Sequence, residues 1–273
     1  MKKLMFAAAV AAISTATLAA DSTVSSSVVG YQNKALKGNA AFNLTVATFK
    51  VVGKDASAMT LGDIKPSADW MGGSDEILIL SNNGAVSARY TYMNAADATA
   101  WGFTEGWYFT DDYNDSSLDL TELNKNSTLL PLGNGVVVLA GLPTTTVTYA
   151  GEVLAEDQPI TLKGNAAFNV TGNISPADIT LGDIVPSAGW MGGSDEILLL
   201  SDNGAVAARY TFMNAADAAS WGFTPGWYFT DDYNDSSLDL TELNKNSTQV
   251  KAGEGFVVLV GLPTTTITIP SAL

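Results

Sequence analysis

The chain contains the same sequence twice, and this duplication constrains its fold more than any other feature. The stretch WYFTDDYNDSSLDLTELNKNST occupies residues 107–128 and recurs without a change at 227–248. LKGNAAFN at 36–43 returns at 162–169, and GLPTTT at 141–146 returns at 261–266. We therefore expect two domains of one fold, at residues 21–154 and 155–273. The offset between copies falls from 126 to 120, so the first copy carries six extra residues near 45–58, where we expect a surface loop or strand end.

Within each copy the apolar residues follow the two-residue period of β-strands. In residues 85–93, Val86, Ala88, Tyr90 and Tyr92 share one face of a predicted strand. A strand at 75–81 precedes it across Asn82-Asn83-Gly84, where Asn-Gly favours the positive φ angles of a tight hairpin. Residues 106–110, 135–140 and 144–153 read as three more strands.

Helix is predicted to be scarce. Residues 60–64 and the Asn94-capped segment 94–101 each have room for a turn or two of helix. Five or more short strands per copy, separated by tight turns, indicate an all-β fold. We expect two tandem antiparallel β-sandwich or small-barrel domains that arose by internal duplication.

The first twenty residues have the form of a bacterial export signal. Lys2 and Lys3 precede an apolar run at 4–12, and small residues follow up to Ala20. The run is short and alanine-rich for a membrane span, so we expect cleavage near Ala20, with an uncleaved anchor as the alternative. The chain is then predicted to be exported, to the extracellular space or cell surface or to a periplasm, without membrane insertion after cleavage.

Composition excludes several classes of partner and of chemistry. Without Lys2 and Lys3, 11 basic residues remain against 28 acidic ones, a net charge of −17 that disfavours nucleic acid and anionic lipid as partners. The chain has no cysteine and no histidine, which removes disulfides and the Ser-His-Asp and Cys-His types of catalysis. Carboxylate chemistry remains, and a glycosidase would need two carboxyl groups across a sugar site. Asp75 and Glu76 are adjacent, so on a strand they point to opposite faces.

The duplicated acidic segment is a candidate calcium site. Carboxylate oxygens are ligands that Ca²⁺ prefers, although the spacing fits an EF-hand loop poorly, with tyrosine at position three and serine at position six. The alternative is a solvated acidic loop that keeps the surface soluble. The candidate ligands are Asp111, Asp112, Asp115, Asp119 and Glu122 in the first copy and Asp231, Asp232, Asp235, Asp239 and Glu242 in the second.

The tryptophans are candidates for carbohydrate binding, because exposed aromatic rings on a β-sandwich can stack on sugars. The candidate ligand residues are Trp70, Trp107, Trp190 and Trp227. The alternative is that they are core residues, since Trp107 and Phe109 alternate with Tyr108 and Thr110 as in a strand with one buried face.

The order of motifs is similar in both copies. A strand leads to the TLGDI turn, a hairpin, an aromatic GWY strand, an apolar strand after Gly-x-Gly and a closing strand such as TTVTYAGEV. Together with VVGYQNKAL at 28–36, this order resembles uncharacterised secreted β-repeat proteins of verrucomicrobial and related bacteria. The resemblance covers nearly all of the chain after residue 20, implies an exported surface or matrix protein, and transfers no activity.

We therefore expect a non-catalytic structural or adhesive protein without an obligatory cofactor. Self-association end to end through the terminal strands is expected, because each end of the duplicated region carries a β segment. Polysaccharide or other surface and matrix components are the alternative partners. A carbohydrate-binding protein is the second possibility and a carboxylate-based glycosidase the third.

Overall fold

The computed structural model describes residues 28–51, 58–111, 123–231 and 243–271. Strands dominate it, and the described helices are α1 (Ala95–Trp101) and α2 (Ala215–Trp221), with short 3₁₀ turns at Leu61–Asp63 and Leu181–Asp183. The predicted all-β class with little helix is confirmed. The export-signal residues 1–20 lie outside the described part of the chain.

The strands of the two copies correspond closely. The first repeat contains β1 (Val29–Ala35), β2 (Asn43–Val46), β3 (Phe49–Lys50), β4 (Ala58–Thr60), β5 (Lys65–Pro66), β6 (Glu76–Leu80), β7 (Val86–Met93), β8 (Gly106–Phe109), β9 (Leu129–Pro131), β10 (Gly135–Leu139) and β11 (Thr146–Val153). The second contains β12 (Gln158–Thr161), β13 (Asn169–Gly172), β14 (Ile179–Thr180), β15 (Val185–Pro186), β16 (Glu196–Leu200), β17 (Val206–Met213), β18 (Gly226–Phe229), β19 (Gln249–Val250), β20 (Gly255–Leu259) and β21 (Thr266–Ile269).

Each repeat is a sandwich of two larger antiparallel sheets, with a further two-stranded sheet formed by β4 and β9 in the first repeat and by β14 and β19 in the second. In the first repeat the five-stranded sheet has the order β2-β10-β6-β7-β8, and the other has the order β1-β11-β3 with β5 also paired to β11. The second repeat has the matching sheets β13-β20-β16-β17-β18 and β12-β21-β15. Side chains from both sheets meet in the core of the first repeat, among them Ile77, Val138 and Trp107 from one sheet and Val147 and Tyr149 from the other.

Several local predictions are confirmed. The side chain of Asn94 caps α1 by accepting from the backbone N–H groups of Ala96 and Asp97, and residues 60–64 contain a 3₁₀ turn.

The hairpin between β6 and β7 is present, but its turn differs from the predicted one. Gly84 has a positive φ of 79° and Asn83 does not. The ladder also shifts register between Ile79 and Leu80, so this is a three-residue loop with a bulge rather than a two-residue turn.

The two five-stranded sheets pack face to face, which joins the repeats into one body. Five buried residues form the centre of this contact: Leu44, Leu78 and Val137 from the first repeat and Leu198 and Val257 from the second. Phe42 and Phe168 pack at its margins. The inner sheet of each repeat is therefore covered on both faces, and the molecule has four layers of sheet.

The segment 45–58, which carries the six extra residues of the first copy, is described only in part. Part of the segment forms the two-residue strand β3, whose Phe49 and Lys50 pair with Val153 and Glu152 of β11. Residues 52–57 lie outside the described part of the chain. In the second copy the shorter connection is held instead by buried Asn173, whose side chain donates to the carbonyl oxygens of Ala177 and Val250.

Candidate functional site

The four tryptophans predicted to bind sugar lie in the cores of the two repeats. Trp107 and Trp227 have no exposed surface, and Trp70 and Trp190 are 2% and 3% exposed. Trp70 packs edge-on against Trp107 with ring centroids 5.3 Å apart, and the Trp107 indole N–H donates to the carbonyl oxygen of Ile64 at 3.2 Å. A sugar has no access to these rings, so the assignment of these four residues to a surface carbohydrate site is wrong, and the core alternative is correct.

A different tryptophan in each repeat is exposed. Trp101 ends α1 and is 65% exposed, and Trp221 ends α2 and is 62% exposed. Each helix stops there because the next residue, Gly102 or Gly222, adopts the left-handed conformation that favours glycine. The position of both rings follows from the sequence, since Trp101 and Trp221 each directly precede the glycine at the end of a short capped helix. These two rings are the accessible indoles of the described residues.

The acidic segments are described only at their first residue. Asp111 lies 3.8 Å from the Arg89 guanidinium, and Asp231 lies 3.6 Å from that of Arg209. The other predicted ligands, residues 112–122 and 232–242, lie outside the described part of the chain. Within the described ranges no group of three potential metal-ligating side chains converges. Calcium binding by these segments stays a prediction. A bound Ca²⁺ would compete with Arg89 for Asp111 and with Arg209 for Asp231.

An ion pair between a half-exposed arginine and a buried glutamate lies beside each acidic segment. Arg89 on β7 donates from one nitrogen to both carboxylate oxygens of Glu76 on β6, at 2.8 and 3.0 Å. The Glu76 side chain is 7% exposed, whereas that of Arg89 is 45% exposed. The hydrogen bonds and charge of Glu76 raise the pKa of Arg89 further above its ordinary value. Arg209 and Glu196 repeat the arrangement at 2.7 and 2.9 Å.

The neighbouring carboxylate, Asp75, holds two loops together. Its side chain is fully buried and accepts from the backbone N–H of Met71 at 3.0 Å and from that of Gly141 at 2.8 Å. Asp195 makes the same two bonds to Met191 and Gly261. Asp75 and Glu76 therefore point to different partners, as expected of adjacent strand residues. Both act in the structure as acceptors for groups of the protein itself.

A cleft of about 170 Å³ lies where residues 129–135 of the first repeat meet residues 160–171 of the second. Its polar lining includes Asn82, Asn134 and Lys163, and Lys163 donates to the side-chain oxygen of Asn82 at 2.9 Å. No carboxylate is among the described residues that line it. The described lining of this cleft therefore offers no pair of carboxyl groups of the kind that glycoside hydrolysis uses.

No protein-family model matches the chain, and comparison with curated proteins and with solved structures finds no match either. Among the described residues, no helix has the length and apolar character needed to cross a membrane.

Sequence reasoning missed the contact between the repeats, although a signal for it was present. The runs EILIL at 76–80 and GVVVL at 135–139 are apolar at consecutive positions rather than at alternate ones. A strand with such a run is buried on both faces. Each repeat thus needs cover on the outer side of its five-stranded sheet, and the other repeat supplies it.

Proposed function

We propose that the chain is an exported, non-catalytic structural or adhesive component of the cell surface or extracellular matrix. The export-signal form of residues 1–20 and the net charge of −17 that remains without Lys2 and Lys3 favour a soluble role outside the cytoplasm. The molecule would act by presenting a stable, duplicated β scaffold that associates with further copies or with other surface components.

The structural use of its carboxylates supports this proposal most directly. The described carboxylates with the deepest burial, Asp75, Glu76, Asp195 and Glu196, already bind backbone N–H groups or an arginine of the protein itself. A general acid or base needs a proton-exchanging oxygen that faces substrate. The same side chains instead join loops and neighbouring strands, which favours a scaffold over an enzyme.

The location of the protein in the cell and its activity on glycans test the proposal. We expect a full-length chain produced in a bacterial host to be recovered outside the cytoplasm, shortened by about 20 residues as the signal form predicts. Intact-mass measurement of the exported protein gives the cleavage point. Retention of the full-length chain in the cytoplasm, or hydrolysis of a glycan by the purified protein, would contradict the proposal.

Carbohydrate binding is a second candidate, because Trp101 and Trp221 are exposed at equivalent places in both repeats. An exposed indole can stack on the apolar face of a sugar ring. We expect a polysaccharide pull-down to capture the protein and to lose it on the double substitution Trp101→Ala with Trp221→Ala. Leu142→Ala, at another exposed apolar side chain, is the matched control. Capture that survives the double substitution would contradict this candidate.

Calcium binding is tested by stability, without reference to any activity. A ligand that binds only the folded state raises the melting temperature by mass action. Millimolar Ca²⁺ is therefore expected to raise it, and Asp115→Ala combined with Asp235→Ala is expected to remove the increase. A melting temperature that is the same in Ca²⁺ and in a chelator would leave the solvated-loop alternative in place.

A further inference from the structure

The strand β1 lies at the edge of its sheet with one side open. The sheet order β1-β11-β3 places β11 against one side of β1, and no strand of the described residues pairs with the other side. The two strands pair over seven residues, from Val29 opposite Glu152 to Ala35 opposite Thr146. An edge of this length is a template for pairing with another strand.

The backbone groups that face outward can be assigned from the register. Leu36 donates its N–H to Thr145, and the carbonyl of Val28 accepts from Val153, so the even-numbered residues of β1 bond to β11. In an antiparallel ladder the intervening residues direct their N–H and C=O groups to the opposite side. Four residues therefore direct backbone groups to the edge that no other described strand pairs with: Val29, Tyr31, Asn33 and Ala35.

The equivalent edge in the second repeat is closed by a proline. β12 corresponds to β1 with an offset of 126, and it pairs with β21 through only four residues. Leu162 donates to Thr265, so Pro159 is one of the residues of β12 that face outward. Pro159 takes the place of Asn33 and has no N–H to offer. Short strands, edge prolines and edge charges protect sheets against edge-to-edge pairing. β1 has seven residues and no proline, and Lys34 is its one charged side chain.

The side chains along β1 also favour a partner. Val29 is 62% exposed and Tyr31 is 78% exposed, and both point away from the core of the repeat. The strand carries no carboxylate, and its only charge is Lys34. In a chain with a strong excess of acidic residues, β1 itself therefore places no carboxylate opposite another when two copies pair through it.

We propose that β1 pairs antiparallel with β1 of a second copy, which joins the β1-β11-β3 sheets of the two copies into one continuous sheet across a two-fold axis. In the register centred on Gln32, Val29 faces Ala35 of the second copy and Tyr31 faces Asn33 of the second copy. These pairs use every outward N–H and C=O group of β1, because each hydrogen-bonded pair exchanges two bonds. Lys34 then lies opposite Gly30 of the second copy, so the two lysines do not oppose each other.

This inference rests on the proposed structural role and specifies how copies associate. At the other end of the chain, β21 is paired on both sides, by β12 and β15, and offers no open edge over Thr266–Ile269. A contact in which β1 pairs with β1 uses the same edge on both copies, so it produces a closed dimer rather than a filament. Association is therefore head to head, through β1.

Substitution at Asn33 tests the edge directly. Asn33→Pro places at this position the residue that the second repeat already carries, and it removes an outward N–H without touching the bonds to β11. We expect sedimentation velocity of the chain 21–273 to show a concentration-dependent dimer, with the dissociation constant raised roughly tenfold or more by Asn33→Pro. Asn33→Ala keeps the N–H and is expected to keep the dimer. A monomer at all concentrations, or a dimer unaffected by Asn33→Pro, would overturn the inference.

Cysteine cross-linking tests the register even if the proline variant is unstable. The chain has no cysteine of its own. Gln32→Cys places two thiols opposite each other at a non-hydrogen-bonded pair, about 4.5 Å apart between Cα atoms, which suits a disulfide. Val29 is more exposed than Gln32, but in this register the two Val29 residues of the dimer lie roughly 20 Å apart along the strand. We expect oxidation to link Gln32→Cys chains and not Val29→Cys chains; the opposite order would contradict this register.

The two proposals fail separately. If the protein is exported and acts at the surface but stays monomeric, the β1 dimer is contradicted and the proposed function is not. If the protein dimerises through β1 but remains in the cytoplasm, the proposed function is contradicted and the dimer is not.

Discussion

Phe42 in the first repeat donates its backbone N–H to the carbonyl oxygen of Asp202 in the second repeat at 2.7 Å. Phe168, the equivalent of Phe42, makes the equivalent bond to Asn82 at 2.7 Å. Each phenylalanine ring also lies against the hairpin turn of the other repeat, beside Gly204 or Gly84. Each repeat thus makes to the other the same contact that it receives. The two repeats are therefore related like the subunits of a symmetric dimer, joined here in one chain.

Truncation of Val137 is expected to destabilise the whole molecule. Val137 has no exposed surface and lies between the two five-stranded sheets. Val137→Ala removes two methyl groups from this contact, which lowers the free energy of unfolding by about 2 kcal/mol. Since both repeats depend on the same contact, thermal unfolding should remain a single transition at a lower temperature.

The control for this variant is Val86→Ala, at a valine that is 48% exposed, where a change within about 0.5 kcal/mol is expected. Two separate transitions in the unsubstituted protein would show that the repeats unfold independently, contrary to the shared contact.

Loss of Arg89 is expected to cost far more than loss of a surface lysine. Arg89→Ala leaves the buried carboxylate of Glu76 without its charged partner, so we expect a loss of about 2 kcal/mol in chemical denaturation. Lys37→Ala breaks an ion pair with Asp202 in which both side chains are more than half exposed, and should cost less than about 0.5 kcal/mol. Equal losses in the two variants would contradict a structural role for the pair of Arg89 with Glu76.

Asp75→Asn distinguishes a structural carboxylate from a chemical one. The amide has the same shape, but its NH₂ group opposes one of the two backbone N–H groups that Asp75 accepts. The expected cost is about 2 kcal/mol in the free energy of unfolding, whereas Asp69→Asn, at an exposed residue, should be nearly neutral. An unchanged stability for Asp75→Asn would show that these two hydrogen bonds do not hold the loops together.

Alkaline pH is expected to unfold the protein in part through Tyr149. Burial raises the pKa of Tyr149 from 10.0 to about 12, and its weak hydrogen bond to Thr45 opposes the increase. The unfolded state then releases its proton first, so stability is intact below pH 10 and falls as pH rises towards 12. The lost contribution is about 2 kcal/mol by the end of this range.

Tyr149→Phe should flatten the decline in unfolding free energy between pH 10 and 12. Some decline will remain, because burial also raises the pKa of Tyr90, Tyr92 and Tyr210. Tyr31→Phe, at a side chain that is 78% exposed, serves as the control. A variant whose alkaline decline matches that of the unsubstituted protein would contradict the role of Tyr149.

The local structure followed from short-range patterns in the sequence. The alternation of Tyr90 and Tyr92 with Arg89 and Thr91 set which side of β7 faces the core, because successive strand residues point to opposite faces. The Asn94 cap set the start of α1 for a similar reason, since the bonds it makes reach only two and three residues along the chain. These predictions needed no knowledge of distant parts of the molecule.

The candidate sites depended on distant contacts and were harder to predict. The sequence around Trp107 was compatible with a core ring and with a sugar-binding ring, and the packing of Trp70 and Tyr92 against it decided for the core. The role of Asp75 depended on the N–H of Gly141, which lies 66 residues away. A pattern confined to a few residues carries no information about partners at such separations.

The sequence by itself determined that the chain contains one β-rich unit twice, because duplication and two-residue periodicity are properties of residue order. Tertiary structure alone decided how the two units meet. Strand alternation specifies which side chains share a face, but burying the second face of EILIL and GVVVL requires a surface of matching shape. The other repeat has that shape because it has the same sequence, and the fold brings the two copies of that surface together.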